Sequence, residues 1–395
     1  MVMPAALFAA GIMVCCEFPS SLSWLFWGLA ALASLLAVII CRRQTGLQSA
    51  FLLLAAFSIG GLRMAVEGGN EAGLAYQKPS VPLRDAIVER MNDLFADVEA
   101  SDEGSVVVAM SMGERRDIDR DLRADYASSG AAHVLAVSGL HIGIVFFFFK
   151  LLIPRRRTAR LSVWHLTGEA MLIAGIWCYV LLVGMPPSAV RAATMVSLYE
   201  LMSLQNRDKM SLNVIAATAF FMLLYRPSDI YSIGFQLSFA AVISIILNYN
   251  ALHSLLPKPS NPLVKALWSM FCVSISAQVG VVPLIAYHFG YVSVYGVFSS
   301  LLVIPCAWLI VNLSVLLILF LKVTAIARLI AIPLSLTAGF MNRFVEWLSG
   351  LPGATIEGIE LNGFQVVSLY LALGCGCMLL RRLTLNTVRG TRSEK

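Results

Sequence analysis

The sequence predicts an all-α fold: a polytopic helical membrane protein of about 10–12 transmembrane helices, with a short external segment of amphipathic helices. Three observations predict it. Hydrophobic residues make up 58% of the 395-residue chain and charged residues 13%, against roughly a quarter charged in soluble domains. The mean hydropathy is +0.79. Apolar runs of membrane-crossing length recur from end to end and are continuous rather than alternating, which excludes the strand pattern of a membrane β-barrel.

Residues 1–62 hold three spans, at 5–16, 22–41 and 47–62, the first of them short. Met1–Cys16 has no basic stretch ahead of its apolar run and leads straight into further spans, which argues against a cleaved signal peptide. Residues 63–129 form the one hydrophilic segment, with eight basic and fourteen acidic side chains and a net charge of −6, in a chain of +6 overall. A polyanion is therefore expected to meet the membrane part and not this segment. Leu83, Ile87, Met91, Leu94, Phe95 and Val98 fall on one helical face behind Pro82, and Ile118, Leu122 and Tyr126 make a second stripe. Both read as amphipathic helices, lying on the membrane surface or against the protein's own spans. Glu67-Gly68 and Glu103-Gly104 read as turns.

Residues 130–380 carry the remaining spans, at 131–153, 161–183, 187–204, 212–225, 230–248, 266–286, 297–321, 329–348 and 364–380, and residues 381–395 form a basic tail. Alternate loops and the tail hold seventeen Lys and Arg side chains, from Arg42 to Lys395, whereas the short loops of the other face hold only Arg226. This bias predicts both termini in the cytoplasm and the 63–129 segment outside. The eight cysteines contain no CxxC pair and read as small buried hydrophobes, not as a disulfide framework or a metal site.

Polar side chains inside spans are functional candidates, because lipid solvates them poorly. At a rise of about 1.5 Å per residue, His141 is expected about 15 Å below the outer face, Arg191 about 6 Å, Gln236 about 9 Å and Gln278 about 12 Å. His133, Ser138 and Gly139 precede His141 on the same span. Arg191 cannot discharge and must face water or a partner, for which Glu169 and Glu200 are the intramembrane acids available. Gln236 and Gln278 read equally as donors to a solute or as hydrogen bonds between helices. Asp229 reads as a cap or a rim ion pair with Arg226. No HExxH, GxSxG or Walker motif occurs, and Ser138 and His141, three apart and able to touch, lack a third orienting group. His133 and His141, eight apart, are poorly spaced for one metal ion. The reading is a protein without catalytic residues, metal or cofactor.

Four stretches, "YASSGAAHVLAVSGLHIGI", "PPSAVRAATM", "GFQLSFAAV" and "VVPLIAYHFG…LLVIP", resemble in order the motifs of the ComEC family of competence proteins, over roughly residues 110–320. The resemblance implies a bacterial inner-membrane channel that passes single-stranded DNA into the cytoplasm during natural transformation. It implies an external DNA receptor and nuclease and a cytoplasmic ATP-driven translocase as partners, besides membrane lipid, and leaves a homo-oligomer open. His133, Ser138, Gly139, His141, Arg191, Gln236 and Gln278 are then the candidates for the DNA path. Long family members carry an external OB-type domain and a metallo-β-lactamase-like domain. Neither is matched here, and Ser299-Ser300 stands where an Asn is expected, so the chain resembles a short, core-only member. The alternative reading is a membrane scaffold, or a transporter of another solute, retained after loss of the DNA-handling domains.

Overall fold

The structure, a computed structural model, describes residues 1–17, 23–41, 45–67, 79, 81–152, 163–204, 211–255 and 261–393. Among these, helices dominate, in the order α1 (Val2–Glu17), α2 (Ser23–Ile40), α3 (Thr45–Glu67), α4 (Pro82–Asp97), α5 (Ser101–Met112), α6 (Arg120–Ser128), α7 (Gly139–Leu152), α8 (Val163–Leu182), α9 (Pro187–Leu204), α10 (Ser211–Tyr225), α11 (Ile233–His253), α12 (Pro262–Phe289), α13 (Gly296–Phe320), α14 (Thr324–Ser349) and α15 (Gly363–Ser393). A two-residue ribbon pairs β1 (Val292–Ser293) with β2 (Thr355–Ile356) antiparallel. The all-α membrane class is thus what the chain adopts, and each stretch read as a span holds one helix.

Five described helices, α3, α11, α12, α13 and α14, are long and apolar enough to cross a membrane, and six further apolar stretches are shorter. One of the shorter ones corrects the sequence reading. The 131–153 span does not start as helix: Ala132–Val134 is a 3-10 turn and α7 begins only at Gly139. Its 14 described residues rise about 21 Å. The depth expected for His141 counted from Ala131 therefore does not apply. The loop residues Arg42, Arg43, Arg155, Arg156, Arg157, Arg160, Arg207, Lys209 and Lys258, on which the orientation mostly rests, lie outside the described residues, as do Gly68 and Lys395.

The chain divides into two compact units, Met1–Gln77 with Thr194–Gln236, and Lys78–Ala193 with Leu237–Lys395. In the first, α3 packs against both α1 and α2, and α1 also meets α10. Glycine makes the close approach possible. A Cβ on Gly11 would overlap the Phe57 carbonyl, one on Gly60 the Phe8 carbonyl, and one on Gly61 the Trp27 ring. Phe8 and Phe220 stack edge to face at 4.9 Å. Arg63 donates to the carbonyls of Leu224 (2.8 Å) and Tyr225 (2.6 Å), satisfying the end of α10. Arg226 pairs with Asp229 at 3.7 Å, as the sequence suggested.

The second unit has a core formed by α4, α5, α6, α13 and α14. Met91, Leu94, Phe95, Ile118 and Tyr126 from the two expected stripes are buried in it, whereas Leu83 is 64% exposed. The amphipathic segment thus packs against the protein's own helices. The sequence reading missed α5. Glu103-Gly104, taken as a turn, is helix, and the reason is tertiary: a Cβ on Gly104 would lie 2.5 Å from Phe95 Cβ. Every residue from Gly104 to Met112 is buried, as expected for a helix apolar on all sides. The Ser105 and Ser111 hydroxyls donate to the helix's own carbonyls, at 2.7 Å each. Gly113, at φ 68°, ends the helix in the left-handed conformation. Elsewhere in this unit, α11 and α12 cross at Gly280, where Ser244 donates to the Ser276 carbonyl at 2.6 Å and Tyr370 to the Gly280 carbonyl at 2.6 Å.

Candidate functional site

The loop from Gly130 to Ser138 organises the candidate residues of the second unit. Gly130 has φ 80°, and a Cβ there would lie 2.8 Å from the Gly296 Cα. Ser293 in β1 donates to the Ser128 carbonyl at 2.8 Å. A Cβ on Gly296 would in turn lie 2.6 Å from Gln278 Nε2. Gln278 of α12 therefore lies against the start of α13, where Gly130 also packs. His133 is exposed on the 3-10 turn, and its Nδ1 donates to the Gly130 carbonyl at 3.2 Å.

The other end of the loop meets α9. Pro187 opens that helix, with its fixed φ suited to a first turn, and Ser188 donates to the Val137 carbonyl at 2.6 Å. A Cβ on Gly139 would make ordinary contact with Ala192 Cβ, at 3.6 Å. Gly139 thus sits beside the second turn of α9 without glycine being required for space. Arg191 in that turn is 4% exposed. The acids named from sequence are buried too, Glu169 at 6% and Glu200 at 4%, and all three side chains are held by interactions within the protein.

Ser138 and His141 do touch, but at a helix start. Ser138 is the residue before α7, and its carbonyl accepts from the Ile142 N–H at 3.3 Å. The Ser138 N–H donates to His141 Nδ1 at 3.1 Å, and Ser138 Oγ lies 2.9 Å from the same nitrogen. His141 is fully buried. Its Nε2 has no hydrogen-bond partner among the described residues, and the same is true of Ser299 Oγ on α13, a helix that packs against α7.

The structure therefore brings Gly139 against the α9 turn that carries Arg191, with Ser138 and His141 capping the helix that Gly139 opens, and sets Gln278 at the opposite end of the same loop. Gln236 belongs to the other unit, where its amide donates to the Ile230 carbonyl at 3.0 Å. Sequence reasoning missed Ser188 and the Gly130–Gly296 contact. For Ser188 a signal was present in the serine directly after the helix-opening Pro187. Burial raises the Tyr126 hydroxyl above its ordinary value, and that hydroxyl donates to Asn342 Oδ1 at 2.7 Å, tying α6 to α14. Burial, with the charge of Arg123 second, lowers Arg115. Among the described residues no group of three or more His, Cys, Asp or Glu side chains is arranged to hold a metal ion.

These features define a many-helix membrane protein in which a buried cation and a buried imidazole flank one irregular loop between helices. The profile of the family described as Competence protein matches residues 110–383, and the chain belongs to that family. It is 30% identical over 224 residues to ComE operon protein 3 of Bacillus subtilis (strain 168), covering 56% of this chain and 26% of that protein. It is 27% identical over 195 residues to Competence protein ComA of Neisseria gonorrhoeae, covering 48% of this chain and 27% of that protein. Recombination protein 2 of Haemophilus influenzae (strain ATCC 51907 / DSM 11121 / KW20 / Rd) is 23% identical over 225 residues, 55% of this chain and 28% of that protein. The matched region thus spans about a quarter of the length of these relatives. No solved structure matches the chain.

Proposed function

We propose that the chain forms an inner-membrane conduit through which single-stranded DNA enters the cytoplasm during natural transformation. The observation that carries the proposal is the placement of the family's motif residues. In a chain with 13% charged residues, Arg191 is buried on the α9 turn whose Ala192 meets Gly139, and His141 is buried in the first turn of the helix that Gly139 opens. A strand carries one phosphate per nucleotide, and a conduit for it needs cationic and donor groups that hold weakly enough to release. Membership of the competence family, with relatives named for competence, supports the DNA assignment over another solute. In this reading the chain does no chemistry of its own. Capture, degradation of the second strand and ATP-driven pulling belong to an external receptor, an external nuclease and a cytoplasmic translocase.

The test is cytoplasmic accumulation of end-labelled DNA in a deletion strain, complemented with wild type or with Arg191→Ala. Wild type is expected to restore uptake, and Arg191→Ala to fail while its membrane level stays normal. Normal uptake by the uncomplemented deletion strain would refute the conduit and leave the scaffold or other-solute reading.

A further inference from the structure

We propose that His141 is held neutral with its proton on Nε2, and that this Nε2–H is a fixed hydrogen-bond donor for an acceptor oxygen of the transported strand. The identity of the substrate rests on the conduit reading. The state of the ring rests on bond geometry alone.

Ser138 occupies the N-cap of α7 and His141 is the third residue of the helix. In a capping box, a Glu or Gln at that third position reaches back to accept the N-cap backbone N–H. Here the imidazole takes that part, since the Ser138 N–H points at His141 Nδ1 at 3.1 Å. A backbone N–H always carries its hydrogen, so Nδ1 must present a lone pair. The Ser138 hydroxyl, 2.9 Å away, can turn its own hydrogen to the same atom. An imidazole with a bare Nδ1 carries its proton on Nε2, and an imidazolium has no acceptor to offer the cap.

Nε2–H is then a buried donor without an acceptor among the described residues, on a ring with 0% exposure. Such a donor forfeits its hydrogen bonds to water, and native structures seldom leave one unmatched. An acceptor from outside the protein's own hydrogen-bond set accounts for it. A strand supplies acceptors at every phosphodiester and at base carbonyls. A neutral donor can bind these and let go, as passage requires. Because Nε2 has no exposed surface, the oxygen reaches it when the side chains packed around the start of α7 move aside.

Position 141 separates the alternatives by substitution. Gln reproduces both the cap acceptor and a donor, Glu reproduces the cap without the donor, Ala removes both, and Lys supplies charge without the cap. Each variant is expressed in the deletion strain, its membrane level is measured by immunoblot, and labelled-strand uptake is scored per molecule of protein. His141→Gln is expected to stay close to wild type, while His141→Glu, His141→Ala and His141→Lys each fall by about tenfold or more. Equal uptake by Gln and Glu would reduce His141 to a cap, and rescue by Lys with failure of Gln would make it a charge carrier. Either result overturns the proposal. The ring itself is read without DNA by solid-state 15N NMR of histidine-labelled protein in lipid bilayers. With five histidines in the chain, the His141 signals are identified by their loss in whichever position-141 variant inserts. A protonated Nε2 with a bare Nδ1 is expected, and an imidazolium or the reverse tautomer overturns the assignment. Failure of wild type to restore uptake would overturn the conduit reading and the strand as substrate, while the NMR result still decides the state of the ring.

Discussion

Arg84→Ala tests how α4 and α5 of the hydrophilic segment are fastened to each other. Arg84 lies in the first turn of α4, with its side chain 5% exposed. Its Nη2 pairs with Glu114 Oε2 at 2.8 Å, its Nη1 with Asp85 Oδ1 at 3.0 Å, and its Nε donates to the Met112 carbonyl at 3.3 Å. The last contact places a cation at the C-terminal end of α5, where the helix dipole favours one. Asp85 is 60% exposed, so that pair contributes about 0–1 kcal/mol at most. Glu114 is 18% exposed. Breaking a fully buried pair costs about 3–5 kcal/mol, and the water available to Glu114 brings the expectation down to about 2–3 kcal/mol. At about 2–4 °C per kcal/mol for units of this order, thermal unfolding in detergent followed by circular dichroism should shift down by about 5–10 °C.

Two further variants check the reasoning. Arg84→Lys keeps a charge but not the forked geometry, and is expected to fall between wild type and Arg84→Ala. Replacing both partners, Arg84→Met with Glu114→Met, leaves no orphaned charge and should recover most of the loss. An Arg84→Ala protein within about 0.5 kcal/mol of wild type, the range of an ordinary surface change, would refute the claim that this ion pair fastens α4 to α5.

The α1–α3 crossing predicts that Gly60→Ala destabilises by about 1–3 kcal/mol or more, since its Cβ would overlap the Phe8 carbonyl. Gly46→Ala on the same helix has open space and should be neutral or mildly stabilising through helix propensity, a contrast readable in one thermal series. Gly296→Ala, whose Cβ would crowd Gln278 Nε2 at 2.6 Å, should lower labelled-DNA uptake by more than it lowers the amount of protein in the membrane. Tyr126→Phe removes the hydrogen bond to Asn342 and should cost about 1–2 kcal/mol. Because burial raises the folded-state value of Tyr126, its contribution is present below the ordinary tyrosine range near pH ~10 and lost as pH rises through it. An alkaline stability titration should therefore be flatter in Tyr126→Phe than in wild type.

How much of this was legible in sequence depends on what fixes each element. Met91, Leu94 and Phe95 recur at helical spacing on α4, and spacing alone finds such a face. The α5 helix shows no period, because it is buried all round, and its Gly104 reads as a turn until Phe95 is seen packed on it. The start of α7 was misread for a different reason. Residues 131–138 are as apolar as the helix that follows, so hydropathy cannot separate loop from span. The separating signal is the Ser138–His141 box, which escapes notice because histidine replaces the usual Glu or Gln. Arg226 with Asp229 was legible because both partners lie within one turn. Gln236 was not, because counting depth along a span does not say that its amide bonds back to Ile230.

The corrected start of α7 changes what the motif residues mean. Counted from Ala131, His141 stands deep in a span and the motif reads as one wall of a pore. Counted from Gly139, the polar groups concentrate where chain turns into helix, and most of them bond to the turn itself. His133 donates to Gly130, Ser188 to Val137, and the Ser138 N–H to His141. Those bonds set the geometry of the loop, and breaking them should lower the amount of folded protein. His141 Nε2 bonds to nothing among the described residues, and Arg191 is the buried cation on the turn against Gly139. Removing the Nε2 donor while keeping the cap acceptor, as His141→Glu does, or removing the Arg191 cation should leave the protein in the membrane and lower transport. Uptake normalised to protein level is therefore the measurement that separates the residues that build this junction from those that act in it. A motif in which every substitution lowered both quantities together would be structural throughout.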